Sequence, residues 1–116
     1  MKGENLGAVG ERRAAAYLEA CGYTVLESNW RVGHKEIDII CTDGDRIIVV
    51  EVKTRRAEVD YPAELMDRKK KHNLLKAGAA YLQRYGLEKE LRFDLVIVEG
   101  GNGPVRHIRE AIQIFD

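Results

Sequence analysis

Residues 36–55 read EIDIICTDGDRIIVVEVKTR, two aliphatic runs separated by an Asp-Gly-Asp turn signal. Runs 37–42 and 46–52 are rich in Ile and Val, and Asp43, Gly44 and Asp45 tolerate tight-turn dihedrals, which predicts an antiparallel hairpin. Side chains alternate along a strand, so Glu36 and Asp38 are expected on one face and Ile37, Ile39 and Cys41 on the other. In the second strand Glu51 and Lys53 share a face, opposite Val50, Val52 and Thr54. Pairing Asp43 with Arg46 around Gly44-Asp45 sets Asp38 directly across from Glu51; an Asp43-Gly44 loop sets it one same-face step away. Either register gathers two carboxylates and an amine on one patch.

Like charges facing each other across a sheet repel, and desolvation adds a further cost on the order of kcal/mol. A cation is therefore expected there. Lys53 meets part of the need, and a hard divalent ion such as Mg²⁺, which takes one or two carboxylates, a carbonyl and several waters, meets the rest. Such an ion orients a water and stabilises charge on a phosphate in transfer. An ordinary solvated strand face with a cross-strand ion pair is the competing interpretation of the same pattern.

Outside this hairpin the chain reads as one domain spanning residues 1–116, with a loose tail at 1–5. Apolar residues make up 45% and charged residues 33%, a balance that fits a folded globular chain rather than a disordered one. Lys plus Arg and Asp plus Glu number 19 each, so no global field draws the protein to DNA or to an acidic membrane, and local arrangement must carry any such function. No apolar run approaches the roughly twenty residues that cross a bilayer, and a cytoplasmic location is the expectation. Cys21 and Cys41 lack metal-site spacing and are expected to fill the core as thiols.

Residues 6–20 favour a helix that Cys21-Gly22 ends. Glu11 lies one helical spacing from Ala14, Ala15 and Leu18, on or beside the stripe that faces the sheet, from which it would reach the charged patch; a surface carboxylate is the plainer alternative. Residues 23–32 suggest a strand in which Trp30 is a packing anchor, and Gly33-His34-Lys35 turns into the hairpin, completing an antiparallel meander. Residues 56–64, containing Pro62, read as a polar loop. Residues 65–85 form a long helix with Leu74, Ala77, Gly78 and Tyr81 on its inner stripe, and its first half carries Arg68, Lys69, Lys70, Lys71, His72 and Lys76. Because helical residues step by about a hundred degrees, only some of these cations can line a phosphate backbone. Gly86 closes the helix, residues 91–99 (LRFDLVIVE) form a strong strand, and a weaker strand is expected over 105–112. The helix between strands three and four favours a parallel right-handed crossover, giving an α/β fold with a mixed sheet, flanking helices and the order α-β-β-β-α-β-β.

The segments LGAVGERRAAAYLEACGYTVLESNWR, KEIDII, IIVVEVKTR, KKHNLLKAGAAYL and RFDLVIV together resemble the small bacterial YraN family, UPF0102. That resemblance covers Leu6 to about Val98. It implies a restriction-endonuclease-like core of the PD-(D/E)XK superfamily, similar in outline to archaeal Holliday junction resolvases, and it implies the fold more firmly than an activity. Carried over by position, Asp38 resembles the superfamily's metal-binding aspartate, Glu51 the acid of its E-x-K motif and Lys53 the lysine. Glu11 is similar to the helical glutamate that some members add, Val52 would offer its backbone carbonyl, and Arg55 and Lys70 match basic positions. The family's GEIDLI segment stands here as KEIDII, with Lys35 replacing its glycine.

The function these features imply is a Mg²⁺- or Mn²⁺-dependent hydrolase of DNA phosphodiesters, acting at branched or damaged DNA. Glu11, Asp38, Glu51 and Val52 would hold a metal that binds weakly without substrate, Lys53 would serve the water and the developing charge, and Lys35, Arg55 and Lys70 would grip nucleic acid. Paired cuts at a junction would call for a homodimer. A nucleic-acid-binding accessory module without cleavage, and a protein-interaction domain on the same fold, are the two rival expectations.

Overall fold

The computed structural model describes residues 5–55, 67–100 and 103–112. The expected loop at 56–64 lies outside the described residues, as do positions 1–4 of the expected tail and 65–66 of the expected second helix. The elements in order are α1 (Leu6–Ala20), β1 (Thr24–Val32), β2 (Lys35–Thr42), β3 (Arg46–Arg55), α2 (Arg68–Tyr85), β4 (Glu90–Glu99) and β5 (Val105–Ile108). The five strands lie side by side in sequence order, antiparallel except for the parallel β3–β4 pair joined through α2. This is the expected α-β-β-β-α-β-β arrangement with a mixed sheet.

Local chemistry sets the boundaries. The Asn5 side chain accepts from the Ala8 amide at 2.7 Å and the Asp67 side chain from the Lys70 amide at 2.8 Å, each satisfying an otherwise unpaired donor in a first helical turn. Gly86 adopts the left-handed conformation, φ 61°, that ends α2. In the hairpin, Asp43 Oδ1 accepts from the amides of Asp45 and Arg46, and Thr42 Oγ1 donates to the Arg46 carbonyl. The resulting register pairs Thr42 with Ile47 and Ile39 with Val50, the first of the two alternatives.

The sheet is buried on both faces, with a separate apolar cluster on each. Ala14 and Leu18 of α1 pack with Ile39, Cys41, Ile48, Val50, Val96 and Val98. On the opposite face Leu74, Ala77 and Tyr81 of α2 pack with Trp30, Ile37, Val49, Phe93 and others. Trp30 is the anchor expected of it, buried and edge-on to Tyr81 at 5.1 Å between ring centroids. Gly10 lets α1 approach β3, since a Cβ at that position would overlap the Thr54 hydroxyl.

Three expectations change. The last strand stops at Ile108 and turns at Arg109-Glu110, where Glu110 has φ 52° and donates its amide to Asp94. Lys35 belongs to β2, paired with Val32, rather than to the turn. Cys41 fills the core, but Cys21, the residue capping α1, is exposed because it lies past the helix in the turn that leads to β1.

Candidate functional site

The two strands carrying the acids part where the acids begin. Pairing of β2 with β3 runs through Ile39 and Val50, and beyond it the Asp38 carboxylate occupies the seam, where its Oδ2 accepts from the Val52 amide at 2.8 Å. A side-chain oxygen thus takes the acceptor position that a neighbouring strand's carbonyl would fill.

Face alternation fails at the same place. Residues two apart in a strand share a face, yet Ile37 belongs to the α2 cluster while Ile39 and Cys41 belong to the α1 cluster. The expected grouping of Ile37 with Ile39 and Cys41 is therefore corrected. In β1, Trp30 packs on the α2 side while Ser28 lines a cleft against α1. Between them Asn29, which the flanking pairs Ser28–Ile39 and Trp30–Ile37 set opposite Asp38, has φ 52°. Both strands reverse at one step.

Around the seam Glu51 pairs with Lys53, and Asp38 lies within reach of the Glu51 charge. Glu51 is 3% exposed; its Oε2 lies 3.2 Å from Lys53 Nζ and its Oε1 3.5 Å from Lys70 Nζ. Glu51 Oε1 accepts no hydrogen bond, a shortfall that a buried carboxylate oxygen rarely shows. A cleft of about 220 Å³ brings Glu11 and Arg12 of α1 over Ser28, Asn29 and Asp38. Burial, then the neighbouring Glu51 and Glu11 charges, push the Asp38 carboxyl up to about 7, against the Val52 amide and Lys70, which act to lower it. Asp38, Glu51, Glu11, Lys53 and Lys70 therefore form one electrostatic neighbourhood.

Among the described residues no three His, Cys, Asp or Glu side chains form a ready-made cage. The donor set nevertheless suits a hard divalent ion, which needs only one or two carboxylates and completes its shell with waters and carbonyls. Among the described residues Glu51 Oε1, buried without a hydrogen bond and held only by the Lys70 ion pair, is the feature such an ion would satisfy. Val52 enters through its N–H, and its carbonyl contribution stays an expectation. Lys35 opens β2 and Arg55 closes β3, so both lie at the sheet end beyond Asp38 and Glu51; Arg55 also donates to the Thr54 carbonyl at 3.0 Å.

Sequence reasoning did not anticipate the Lys70–Glu51 ion pair, the cleft positions Ser28 and Asn29, or a second polar centre on β4, where Asp94 pairs with Val50. There Arg92 donates to both Asp94 oxygens at 2.9 and 2.8 Å, His107 Nε2 donates to Oδ2 at 2.7 Å, and the Glu110 amide donates to Oδ1 at 3.1 Å. Tyr23 accepts from Arg92, and the Tyr17 hydroxyl lies 3.2 Å from His107 Nδ1. Two charged residues two apart within RFDLVIV are the signal that was available for this centre.

A family profile described as "Uncharacterised protein family UPF0102" matches residues 10–98. A UPF0102 protein of Bacteroides thetaiotaomicron is 40% identical over 109 residues, covering 91% of this chain and 90% of the relative. Another, from Nitratidesulfovibrio vulgaris, is 39% identical over 114 residues, covering 95% of this chain and 85% of that one. Among solved structures, Hjc of Archaeoglobus fulgidus, a Holliday junction resolvase from an archaeal hyperthermophile, superposes with a TM-score of 0.58 at 16% identity, over 90% of this chain and 77% of that one. That likeness shows a shared nuclease-like fold. No helix among the described residues is long and apolar enough to cross a membrane.

Proposed function

The chain belongs to the UPF0102 family, and from that membership and the geometry of the seam we propose that it is a divalent-metal-dependent phosphodiesterase acting on nucleic acid, DNA foremost. The observation that carries this reading is the buried Glu51 carboxylate, one oxygen unsatisfied and the other against Lys53, set beside Asp38 where two strands part.

Asp38 and Glu51 hold the ion, with Glu11 and the Val52 carbonyl completing or supporting its shell. Mg²⁺ or Mn²⁺ bound there would supply Lewis acidity for a water and for a phosphate oxygen. The Val52 amide fixes one Asp38 oxygen and so orients the carboxylate. Lys53 positions the attacking water and stabilises the negative charge that develops on the phosphate. Lys35 and Arg55 grip the backbone outside the site and Lys70 does so from the site's edge, where it also faces Glu51, which makes binding steeply salt-dependent.

The test is a cleavage screen on linear, nicked, flapped and four-way-junction DNA with Mg²⁺ or Mn²⁺, comparing wild type with Lys53→Ala. Metal-dependent products from the wild type, lost in the variant, are the expected result. Equal cutting by both proteins would remove Lys53 from the chemistry. A second reading, a binding module without cleavage, is favoured by one feature: Lys53 and Lys70 already flank Glu51 and offset its charge without any metal. Tight salt-sensitive binding that persists in Asp38→Ala, without products from the wild type, would establish that alternative.

A further inference from the structure

We propose that Asn29 is a positioning residue for Asp38: its left-handed backbone reverses β1, the paired β2 reverses with it, and the Asp38 carboxylate is thereby delivered into the seam onto the Val52 amide. The proposal rests on the reading of Asp38 as a metal-holding residue only for its functional consequence; the geometry it explains stands by itself.

Asn29 has φ 52° inside a strand, a conformation that sterics deny to most side chains and that Asn tolerates better than most. The pairs on either side, Ser28 with Ile39 and Trp30 with Ile37, fix Asn29 and Asp38 as opposite positions. The flanking side chains then divide. Ser28 and Ile39 face α1, whereas Trp30 and Ile37 face α2. A regular strand cannot do this, because a two-residue step returns a side chain to the same face. The reversal is therefore concentrated at the 29–38 step, and Asp38 leaves the ordinary up-down positions for the plane of the sheet. Its Oδ2 meets the Val52 N–H at 2.8 Å, just past the last β2–β3 pair. In a regular β2 the Asp38 side chain would project from one face, and the Val52 amide would have a strand carbonyl or water in its place. Asn29 itself is exposed and lines the same cleft as Glu11 and Asp38, so apolar packing does not account for its conformation.

Replacement series at position 29 separate this role from general stability. Glycine accepts positive φ freely, whereas a β-branched residue favours a regular strand. In two-dimensional NMR of the full chain without metal, Asn29→Gly is expected to keep the Val52 amide shift and its hydrogen-exchange protection. Asn29→Val is expected to move that shift and to lower Val52 protection by about tenfold or more relative to the Val49 amide, as a penalty of this conformational class implies. Titration with Mn²⁺ gives a second readout, with broadening of the Val52 signal needing about tenfold more Mn²⁺ in the valine variant than in the glycine variant. If Asn29→Val does not fold, Asn29→Ala is measured against Asn29→Gly in the same way. An unchanged Val52 amide in the folded valine or alanine variant overturns the proposal, as does a glycine variant that loses the contact. Absence of DNA cleavage by the wild type would count against the hydrolase reading and leave the amide comparison to decide this one.

Discussion

Two carboxylates removed from water on the same sheet are treated in opposite ways. Asp94 of β4, 1% exposed, is surrounded by donors: two bonds from Arg92, one from His107 and one from the Glu110 amide. Burial acts to raise its carboxyl, but the bonds from His107, Arg92 and the Glu110 amide outweigh that and hold it below the usual carboxylate range. Asp38 of β2 has the Val52 amide as a donor against burial and then the Glu51 and Glu11 charges, which leave it raised to about 7. A finished network ties elements together. It fastens β4 to β5 and, through Tyr17 and Tyr23, to α1 and the residue just before β1. An unfinished one stores unfavourable charge at a place open to a cleft, which is what a cation-binding site requires before its ligand arrives.

The largest effect expected from this contrast falls on the finished side. Asp94→Ala strands the buried Arg92 guanidinium, and chemical denaturation should record a loss of about 3–5 kcal/mol. A loss below about 1 kcal/mol would show Asp94 to be less essential than its four bonds imply. On the unfinished side, Lys53→Ala leaves Glu51 with Lys70 still beside it and should cost clearly less stability than Asp94→Ala, about 1 kcal/mol, while lowering metal-dependent cleavage by about 10²–10³-fold, the scale of one lost charge-stabilising group. Stability and activity thus separate between the two centres.

Gly10→Ala tests whether the approach of α1 matters to the cleft. The added methyl meets Thr54, so a loss of about 1–3 kcal/mol is expected, with partial recovery in the double variant carrying Thr54→Ala. Recovery of stability without recovery of cleavage would mean that Glu11 had not returned.

The smallest effect concerns pH, and its sign differs between the two acids. Asp38 is raised above its unfolded value near 3.8, so the folded state holds the extra proton and stability falls as pH climbs from about 4 to about 7. Asp94 is depressed, so its contribution is present above the unfolded value and is lost only as pH drops through the folded one. Asp38→Asn should therefore be more stable than wild type at pH 8, by on the order of 1 kcal/mol, with the gap closing toward pH 5 in thermal melts without metal. A gap that widens on acidification would reverse the assignment.

Much of this contrast could be read from residue order. The aliphatic runs around Asp43-Gly44-Asp45 gave the hairpin, helical spacing gave α1 to its observed ends, and Asp38, Glu51 and Lys53 stood out because strands seldom carry such residues amid Ile and Val. The reversal at Asn29 was hidden because a single left-handed residue leaves no periodic trace, and strict alternation then misassigned Ile37. The Lys70–Glu51 pair depends on how α2 lies across the sheet, which spacing along either element cannot supply. Arg92 and Asp94 were visible two apart, but their partner His107 comes from β5, a strand too short and too mixed to show its facing residues.

The two thiols offer a further consequence. Cys21 lies in solvent at the end of α1, whereas Cys41 is sealed beneath it and burial pushes its thiol up to about 12. A disulfide reagent should consume the first at once and the second only at the pace of global opening, since the thiolate is the reacting form. The molecule thus carries its own stopwatch, with one fast count that registers concentration and one slow count that registers how often the sheet comes apart.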